Sequence, residues 1–326
     1  MSRGLEAKLD ALSRLRDEDD AEKVGRELGK ALASKTSHLM AARAAKVAAA
    51  LGRNDLEAEM ASAFDRLMVR PGEKDKGCLG KIALAKALVD LGCPTTEVYR
   101  VGVRHVQMEP VWGGQVDAAA ELRAWCAQGL VESSAPDAVL ALVPLLVDSE
   151  LPPRLAAARS LGSSGRLEAE AVLRLKALMG DDEPEVVGEC LGSLLHLEPR
   201  GSIDFVADFL GHREPAMVQV AALALGESRH PDAIPPLVAT MPRTVDHDVR
   251  RTLCMALAVS RQEAAFDALL TWLVEGDDDL ALQSLEALAL HSHDRALRDR
   301  VAAAVEERRA SGDGDALARR FARDFG

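Results

Sequence analysis

His105 and Glu109 stand four residues apart in the segment GVRHVQMEPVWGGQVD, at residues 102–117. An imidazole and a carboxyl group at this spacing can serve as a general acid and base, because both can exchange a proton with a substrate. The spacing is common in proteins, so the pair alone does not identify an enzyme. It makes His105 and Glu109 the candidates if the chain is catalytic.

The sequence HSHD at residues 291–294 gathers potential metal ligands, His291, His293 and Asp294. Imidazoles and carboxylates are the side chains that bind zinc. The group lies at a turn between apolar helical stretches, however, where Ser, Asp and His commonly cap a helix. We therefore predict no metal site, and no other sequence feature indicates a cofactor.

Trp112 lies between Pro110 and the Gly113–Gly114 pair. The proline ends any helix and the glycines free the backbone, so we expect an irregular loop. Two interpretations of Trp112 stay open: an aromatic anchor for a partner, or a side chain packed on the helices to hold the loop. The residues predicted to bind a partner in this region are Tyr99, Arg104, His105, Gln107, Glu109 and Trp112.

An internal repeat governs the rest of the chain. Similar apolar blocks place a leucine at intervals of 31 to 33 residues, at Leu130, Leu161, Leu194, Leu225, Leu257 and Leu288. Each interval also holds a second apolar stretch with helical periodicity. A unit of two helices this short cannot bury its apolar face alone, so successive units must stack. We predict an all-α fold, a right-handed α-solenoid of stacked antiparallel helical hairpins.

The spacing of the blocks also predicts the organisation of the chain. Towards the N-terminus the block recurs at Leu88 and, more weakly, at Leu51, and the interval from Leu88 to Leu130 is 42 residues. The excess indicates an insertion at 99–117, and insertions in solenoids commonly lie on a binding face. The predicted parts are an N-terminal helical capping segment at 1–75, a repeat solenoid at 76–310 and a C-terminal tail helix at 311–326.

Three arginines recur at one position of the repeat, with acidic residues nearby at Glu150, Asp246 and Asp248. A ladder of ion pairs within or between repeats is the structural interpretation. The alternative is a concave surface that grips an acidic peptide or a carboxylate. These arginines are added to the partner-binding candidates: Arg123, Arg154 and Arg250.

Composition restricts the function classes. The net charge of −12 disfavours nucleic acid as a partner, although it does not exclude a local basic patch. The five cysteines are widely spaced and form no CxxC pair, which is typical of reduced thiols in a cytoplasmic protein. The charged start lacks the apolar core of a signal peptide, and the apolar stretch at 138–147 is too short to span a bilayer.

The segments LRAWCAQGL (122–130), AALALGESRHPDAIPPL (221–237) and HDVRRTLCMALA (247–258) resemble HEAT-like repeats, particularly the short bacterial type grouped with phycobilisome-lyase modules. The resemblance covers about residues 76–305. It implies an α-solenoid, and it implies interaction with other proteins, because most members of this family are scaffolds.

Some members of the superfamily are enzymes or bind DNA. The di-iron hydroxylases use His-Glu dipeptides, and none of the eight histidines here is followed by glutamate. Lyase-like relatives would need a pocket with an acid–base pair, for which His105 and Glu109 are available. The DNA glycosylases need a basic groove with aromatic residues; Trp112 and Trp125 are present, but the chain is acidic.

The sequence therefore favours a non-enzymatic scaffold that binds another protein or a peptide. The predicted surface combines the concave face formed by the second helices with the insertion at 99–117. A lyase-like or other small-molecule enzyme, with the insertion as a pocket wall, is the alternative, and a nucleic-acid-binding protein is a third.

Overall fold

The computed structural model describes residues 3–33, 37–311 and 314–325. Parts of the predicted N-terminal segment (1–2 and 34–36) and of the predicted tail (312–313 and 326) lie outside the described residues. The described residues form twenty α-helices and one two-stranded sheet. They divide into two compact units, Met1–Ala169 and Glu170–Gly326. The predicted boundaries at 75/76 and 310/311 stay predictions.

Unit 1 begins with helices α1 (Arg3–Arg14), α2 (Ala21–Leu32), α3 (His38–Ala50), α4 (Glu57–Met68), α5 (Pro71–Lys74), α6 (Leu79–Asp90) and α7 (Thr96–Gly102). Strands β1 (Met108–Val111) and β2 (Gly114–Asp117) follow, and then helices α8 (Ala120–Glu132), α9 (Ala138–Leu142) and α10 (Leu151–Ser163). A 3-10 helix, Val143–Val147, continues α9, because Pro144 interrupts the regular helical hydrogen bonding.

Two layers of helices make up unit 1. The first helices α3, α6, α8 and α10 pack on one another in succession, and α1 packs on α3. The second helices form the other layer: α2 packs on α3, α4 on α6 and α7 on α8. The stack therefore reaches back through α3, which contains the weak block before Leu51.

Helix α11 (Leu167–Met179) spans the division between the units. Unit 2 continues with α12 (Pro184–Leu197), α13 (Pro199–Asp208), α14 (Pro215–Ser228), α15 (Ile234–Thr240), α16 (His247–Ser260), α17 (Glu263–Glu275), α18 (Asp278–Leu288), α19 (Arg295–Ala310) and α20 (Asp315–Phe325). The first helices α12, α14, α16 and α18 pack in succession, and the second helices α15, α17 and α19 pack alongside them. The predicted fold class, an all-α solenoid of stacked helical hairpins, is confirmed.

The repeated leucines are the centre of this packing. All six leucines of the repeat, and Leu88 before them, have no exposed surface. Leu51 is only half-buried, because it lies just beyond the end of α3. Burial of a leucine side chain contributes about 2 kcal/mol, so one fully buried leucine per repeat fixes the register of each helix pair.

Acidic residues and prolines begin several of the helices. Pro184 and Pro215 are the first residues of α12 and α14, where a proline loses no hydrogen bond. The Asp277 carboxylate caps α18 by accepting from the Leu280 N–H at 2.8 Å. The predicted tail helix is α20, which packs on α18 and α19 with Leu317 and Phe325 buried.

Candidate functional site

The predicted insertion folds into a β-hairpin in place of an irregular loop. Strands β1 and β2 pair antiparallel from Met108 opposite Asp117 to Val111 opposite Gly114. Trp112 and Gly113 form the two-residue turn, and Gly113 has a φ of +91°, a conformation that glycine adopts without strain. Pro110 is tolerated because both strands are edge strands.

The insertion carries exposed apolar side chains from its base to its tip. Trp112 is 103% exposed, so it does not pack on the helices. The interpretation of Trp112 as a side chain that holds the loop down is therefore wrong. Four more apolar residues of the insertion are exposed: Val106, Met108, Val111 and Val116. We call these five residues the hairpin patch.

The base of the hairpin is held by a buried ion pair. Arg123 of α8 is 2% exposed and donates from Nη1 to Asp117 Oδ2 at 2.6 Å and to the His105 carbonyl at 2.9 Å. Asp117 Oδ1 also accepts from the backbone N–H groups of Gln107 and Ala119, both at 2.9 Å. The carboxylate therefore joins both strands of the hairpin to the start of α8.

A second buried group holds the hairpin from the α5–α6 side. The Lys81 ammonium, with no exposed surface, donates to Gln107 Oε1 at 2.7 Å and lies 3.3 Å from Asp75 Oδ2. Gln107 Nε2 donates to the Asp75 carbonyl at 2.8 Å and to Glu109 Oε1 at 2.5 Å. Because buried charges are costly unless paired, these contacts fix the hairpin base to the repeats.

His105 and Glu109 both contact Gln107. His105 Nε2 lies 3.3 Å from Gln107 Oε1, which can only accept, so Nε2 carries the proton in this contact. Burial lowers the pKa of His105. Partial burial acts to raise the pKa of Glu109, but hydrogen bonds from Gln107 and from the Gly77 N–H hold it below its ordinary value. Such a carboxylate is ionised at neutral pH and is a poor general acid.

Tyr99 lies outside the hairpin and away from the surface. It belongs to α7, is 1% exposed and donates its hydroxyl to the Cys93 carbonyl at 3.1 Å. Its ring lies against Gly129 of α8, where a Cβ atom would come within 2.5 Å of it. The prediction that Tyr99 contacts a partner is therefore wrong for this structure, because its side chain fills the α7–α8 interface.

Two of the three repeated arginines, Arg123 and Arg250, contact the turn of the next repeat, whereas Arg154 contacts the turn before its own helix. Arg123 Nε and Nη2 donate to the two oxygens of Asp148, and Arg250 Nη2 donates to Asp277, each at 2.8 Å. Arg154 Nη1 donates to the Asp148 carbonyl at 2.9 Å. The interpretation as an inter-repeat ladder holds for Arg123 and Arg250. Their acidic partners, Asp148 and Asp277, lie in the turn of the next repeat. The acids predicted from the sequence are Glu150, Asp246 and Asp248.

The candidate residues therefore separate into two groups. The structure brings Gln107, Glu109, His105 and Arg123 together at the hairpin base, while Trp112 stands at its tip and Arg104 is exposed on the connection before it. Gln107 and Arg123 are buried there, so the prediction that their side chains contact a partner is wrong for this structure. Arg154 and Arg250 lie on the first helices α10 and α16, away from the insertion in sequence. Sequence reasoning missed the charges that complete the base, namely the buried Asp75, Lys81 and Asp117 and the half-buried Asp148.

The second helices, the other predicted surface, expose apolar side chains in both units. In unit 1, α9 and its 3-10 continuation expose Leu140, Val143 and Val147. In unit 2, α11 exposes Leu175, Leu178 and Met179. Each set recurs at helical spacing, and so it forms an apolar stripe along its own helix.

The side chains of the HSHD turn cap a helix and contact the backbone of the neighbouring repeat. Asp294 caps α19 by accepting from the N–H groups of Ala296 and Leu297, and His291 Nε2 lies 2.9 Å from the Ala258 carbonyl. No group of three or more metal-ligating side chains is found within residues 3–33, 37–311 and 314–325.

Among the helices of these same ranges, none is long and apolar enough to cross a membrane.

A family model described as HEAT repeats matches residues 172–258 and 203–289. These matches cover α12 to α18, the helices that pack in two layers in unit 2. Residues 172–289 match HEAT repeats, and the resemblance to HEAT repeats predicted from the sequence is confirmed there. The blocks around Leu194, Leu225, Leu257 and Leu288 lie within the matched residues.

Solved structures similar to this chain include three of different kinds. The complex of CpcE and CpcF of phycocyanin lyase from Nostoc sp. PCC7120 is 19% identical, with 75% of this chain and 93% of that chain covered and a TM-score of 0.38. Human deoxyhypusine hydroxylase in complex with glycerol is 15% identical, with 89% and 99% covered and a TM-score of 0.32. An engineered protein is 16% identical, with 98% of both chains covered and a TM-score of 0.34. A comparison with curated proteins gives no match.

Proposed function

We propose that this chain is a non-catalytic scaffold that binds another protein, and that the hairpin patch is its contact surface. The observation that carries the proposal is the complete exposure of Trp112 at the tip of a hairpin whose base is buried and charge-paired. Tryptophan is the residue most enriched among the side chains that dominate binding energy at interfaces. The partner that fits is a protein with an apolar pocket that takes the indole ring.

The construction of the hairpin supports this use. A partner that binds a flexible loop must offset the entropy of ordering it, whereas a preformed contact surface avoids that cost. Arg123, Asp117, Lys81 and Gln107 fix the base, so that the two-residue turn presents Trp112 in a defined position. The exposed Val111 and Val116 lie on one face of the hairpin and extend the apolar area there, while Met108 lies on the other face.

The alternatives have less support. An enzyme that uses His105 and Glu109 would need both side chains directed to a substrate, but both contact Gln107 and Glu109 has a lowered pKa. For nucleic acid, the arginines predicted to line a groove are already paired: Arg123 with Asp117 and Asp148, and Arg250 with Asp277.

We further propose a reducing, cytoplasmic location in a bacterium; the five free, buried cysteines are consistent with that compartment.

The test is affinity purification with wild type and two hairpin variants, followed by binding measurements on the purified partner. Trp112→Ala removes the anchor, and Gln115→Ala, an exposed polar change on the same hairpin, is the matched control. We expect Trp112→Ala to lose at least about tenfold in affinity, because truncation of an interface hot spot costs about 2 kcal/mol or more. Equal affinity of Trp112→Ala and wild type for every protein recovered would contradict the proposal.

A further inference from the structure

Unit 2 contains a cleft that the proposed scaffold function does not use. Its volume is about 660 Å³, within the range of small-molecule sites, and it is lined by residues of the turns 211–215 and 243–246 and of the helices beside them. The buried side chains of Leu210, Val218 and Val249 form an apolar part of its wall.

Two arginines give the cleft a positive edge. Arg213 and Arg243 line it, both are exposed, and neither guanidinium has an ion-pair or hydrogen-bond partner within the described ranges. The lining also holds two aspartates, Asp208 and Asp246, so the positive charge is local to the two guanidinium groups. An unpaired guanidinium offers several N–H donors in a planar array that matches a carboxylate.

The turn at 211–215 differs from the turns that correspond to it. In those turns an aspartate accepts from the N–H two residues later: Asp148 from Glu150 and Asp181 from Glu183. Each of these aspartates also pairs with a cation, Arg123 or Lys176. In the turn at 211–215 the acceptor is His212 Nδ1, which receives the Glu214 N–H at 3.1 Å. A neutral imidazole, the form of histidine that can accept a hydrogen bond, thus replaces the acid, and an arginine follows it.

The acidic residues of the cleft limit the ligand. Asp246 lines the cleft but caps α16, accepting from the N–H groups of Asp248 and Val249. Asp208 also lines it and is exposed. A phosphate dianion would be repelled by these carboxylates more strongly than a singly charged group, while both arginines attract a single negative charge.

We propose that this cleft binds a monocarboxylate with an apolar body, which rests on Leu210, Val218 and Val249 while Arg213 and Arg243 hold the carboxylate. The ligand is either a free organic acid or the C-terminus of a peptide with an apolar last residue. The site is independent of the hairpin patch, since all of its residues belong to unit 2 and the hairpin belongs to unit 1.

The experiment titrates the full chain with 3-phenylpropionate and with its neutral amide, followed by ligand-observed NMR and calorimetry. A second arm uses an acetylated tripeptide that ends in leucine, with either a free or an amidated C-terminus. We expect saturable binding of the acid form in at least one arm, and binding at least about tenfold weaker for its amide, which corresponds to about 1.4 kcal/mol. Binding of the acid alone assigns a free organic acid, and binding of the peptide alone assigns a C-terminus.

Variants locate the site. Arg213→Gln and Arg243→Gln should each weaken binding of the acid about tenfold, and Ala239→Phe, at an exposed lining residue, should block the cleft without a change of charge. The matched control is Arg200→Gln, which removes an exposed arginine at the opposite end of α13 and should bind as wild type does. Circular dichroism confirms that each variant is folded.

Three results would overturn the proposal. The first is the absence of saturable binding of either acid at concentrations up to about 10 mM, since a dissociation constant above this value corresponds to very weak binding. The others are equal affinity for acid and amide, and a loss of affinity in Arg200→Gln equal to that in Arg213→Gln and Arg243→Gln. None of these results depends on Trp112. Failure here therefore leaves the hairpin proposal unaffected, and the reverse is also true.

Discussion

Arg123 and Asp117 form a buried ion pair, with Nη1 and Oδ2 2.6 Å apart, that joins the hairpin to the first helix of the following repeat. The same guanidinium reaches Asp148 through Nε and Nη2. One side chain thus links the insertion, α8 and the turn before α10. An arginine at the repeated position of the stack therefore also holds the inserted hairpin in place.

Replacement of Arg123 should destabilise the protein much more than replacement of Arg250 at the same repeat position. Arg123→Met leaves the buried Asp117 and the half-buried Asp148 without their counter-charge, which costs about 3–5 kcal/mol. Arg250→Met removes a pair whose partner, Asp277, is 60% exposed, and should cost less than about 1 kcal/mol. Urea unfolding measures both changes, and similar losses would show that the Arg123 pair is not a buried anchor.

The stability contributed by Asp117 should depend on pH. Burial acts to raise its pKa, but the N–H groups of Gln107 and Ala119 and the Arg123 guanidinium lower it. Since the folded-state pKa lies below the unfolded value of about 3.9, the stabilisation is complete above that pH and is lost as pH falls through the folded-state pKa. The difference in unfolding free energy between wild type and Asp117→Asn should therefore narrow below about pH 4. A difference that stays constant between neutral and acid pH would contradict this expectation.

The stack could be predicted from the sequence because its determinants are local and repeated. A leucine recurs every 31 to 33 residues with helical periodicity around it, so each repeat independently indicates the same packed helix. The interval of 42 residues also located the insertion, since extra length in a regular repeat has to leave the stack.

The hairpin and its buried charges could not be predicted in the same way. MEPV and GQVD are only four residues each, and Pro110 disfavours a strand in the first of them. The charges that hold the base come from separate parts of unit 1, and each contact forms only after the repeats have stacked. One signal was available: Lys81 stands three residues before Leu84 and seven before Leu88, on the buried stripe of α6, where a lysine needs a partner.

Two glycines in the first helices should respond to the same substitution with opposite signs. A Cβ at Gly129 would lie 2.5 Å from the Tyr99 ring, whereas a Cβ at Gly192 of α12 meets nothing within 4 Å. Gly129→Ala should destabilise the protein by about 1–3 kcal/mol through overpacking. Gly192→Ala should stabilise it by about 0.8 kcal/mol through helix propensity. Thermal unfolding provides the measurement, and a neutral Gly129→Ala would mean that Tyr99 can leave the interface.

The five cysteines should be unreactive in the native protein. All are buried, and burial raises the pKa of Cys93 to about 11 and of Cys78, Cys190 and Cys254 to about 12; the pKa of Cys126 is raised as well. Thiolate is the reactive form, so an aromatic disulfide reagent should titrate none of them at pH 8 in the folded state. All five should react in denaturant, where the pKa returns to about 8.5. Rapid labelling of one thiol in the native state would identify a cysteine that is more accessible than the structure indicates.

Truncation of Trp112 should affect binding without affecting stability. Because its side chain is fully exposed, Trp112→Ala should change the unfolding free energy by less than about 0.5 kcal/mol. Trp125 is the comparison: its ring lies under the Lys86 ammonium at 3.7 Å and its Nε1 donates to Glu121, so Trp125→Ala should cost more. If the Trp112 ring instead packed on the helices, its truncation would cost about 3–5 kcal/mol, as for a core aromatic residue. Urea unfolding of the two variants beside wild type therefore separates an anchor for a partner from a side chain that stabilises the fold.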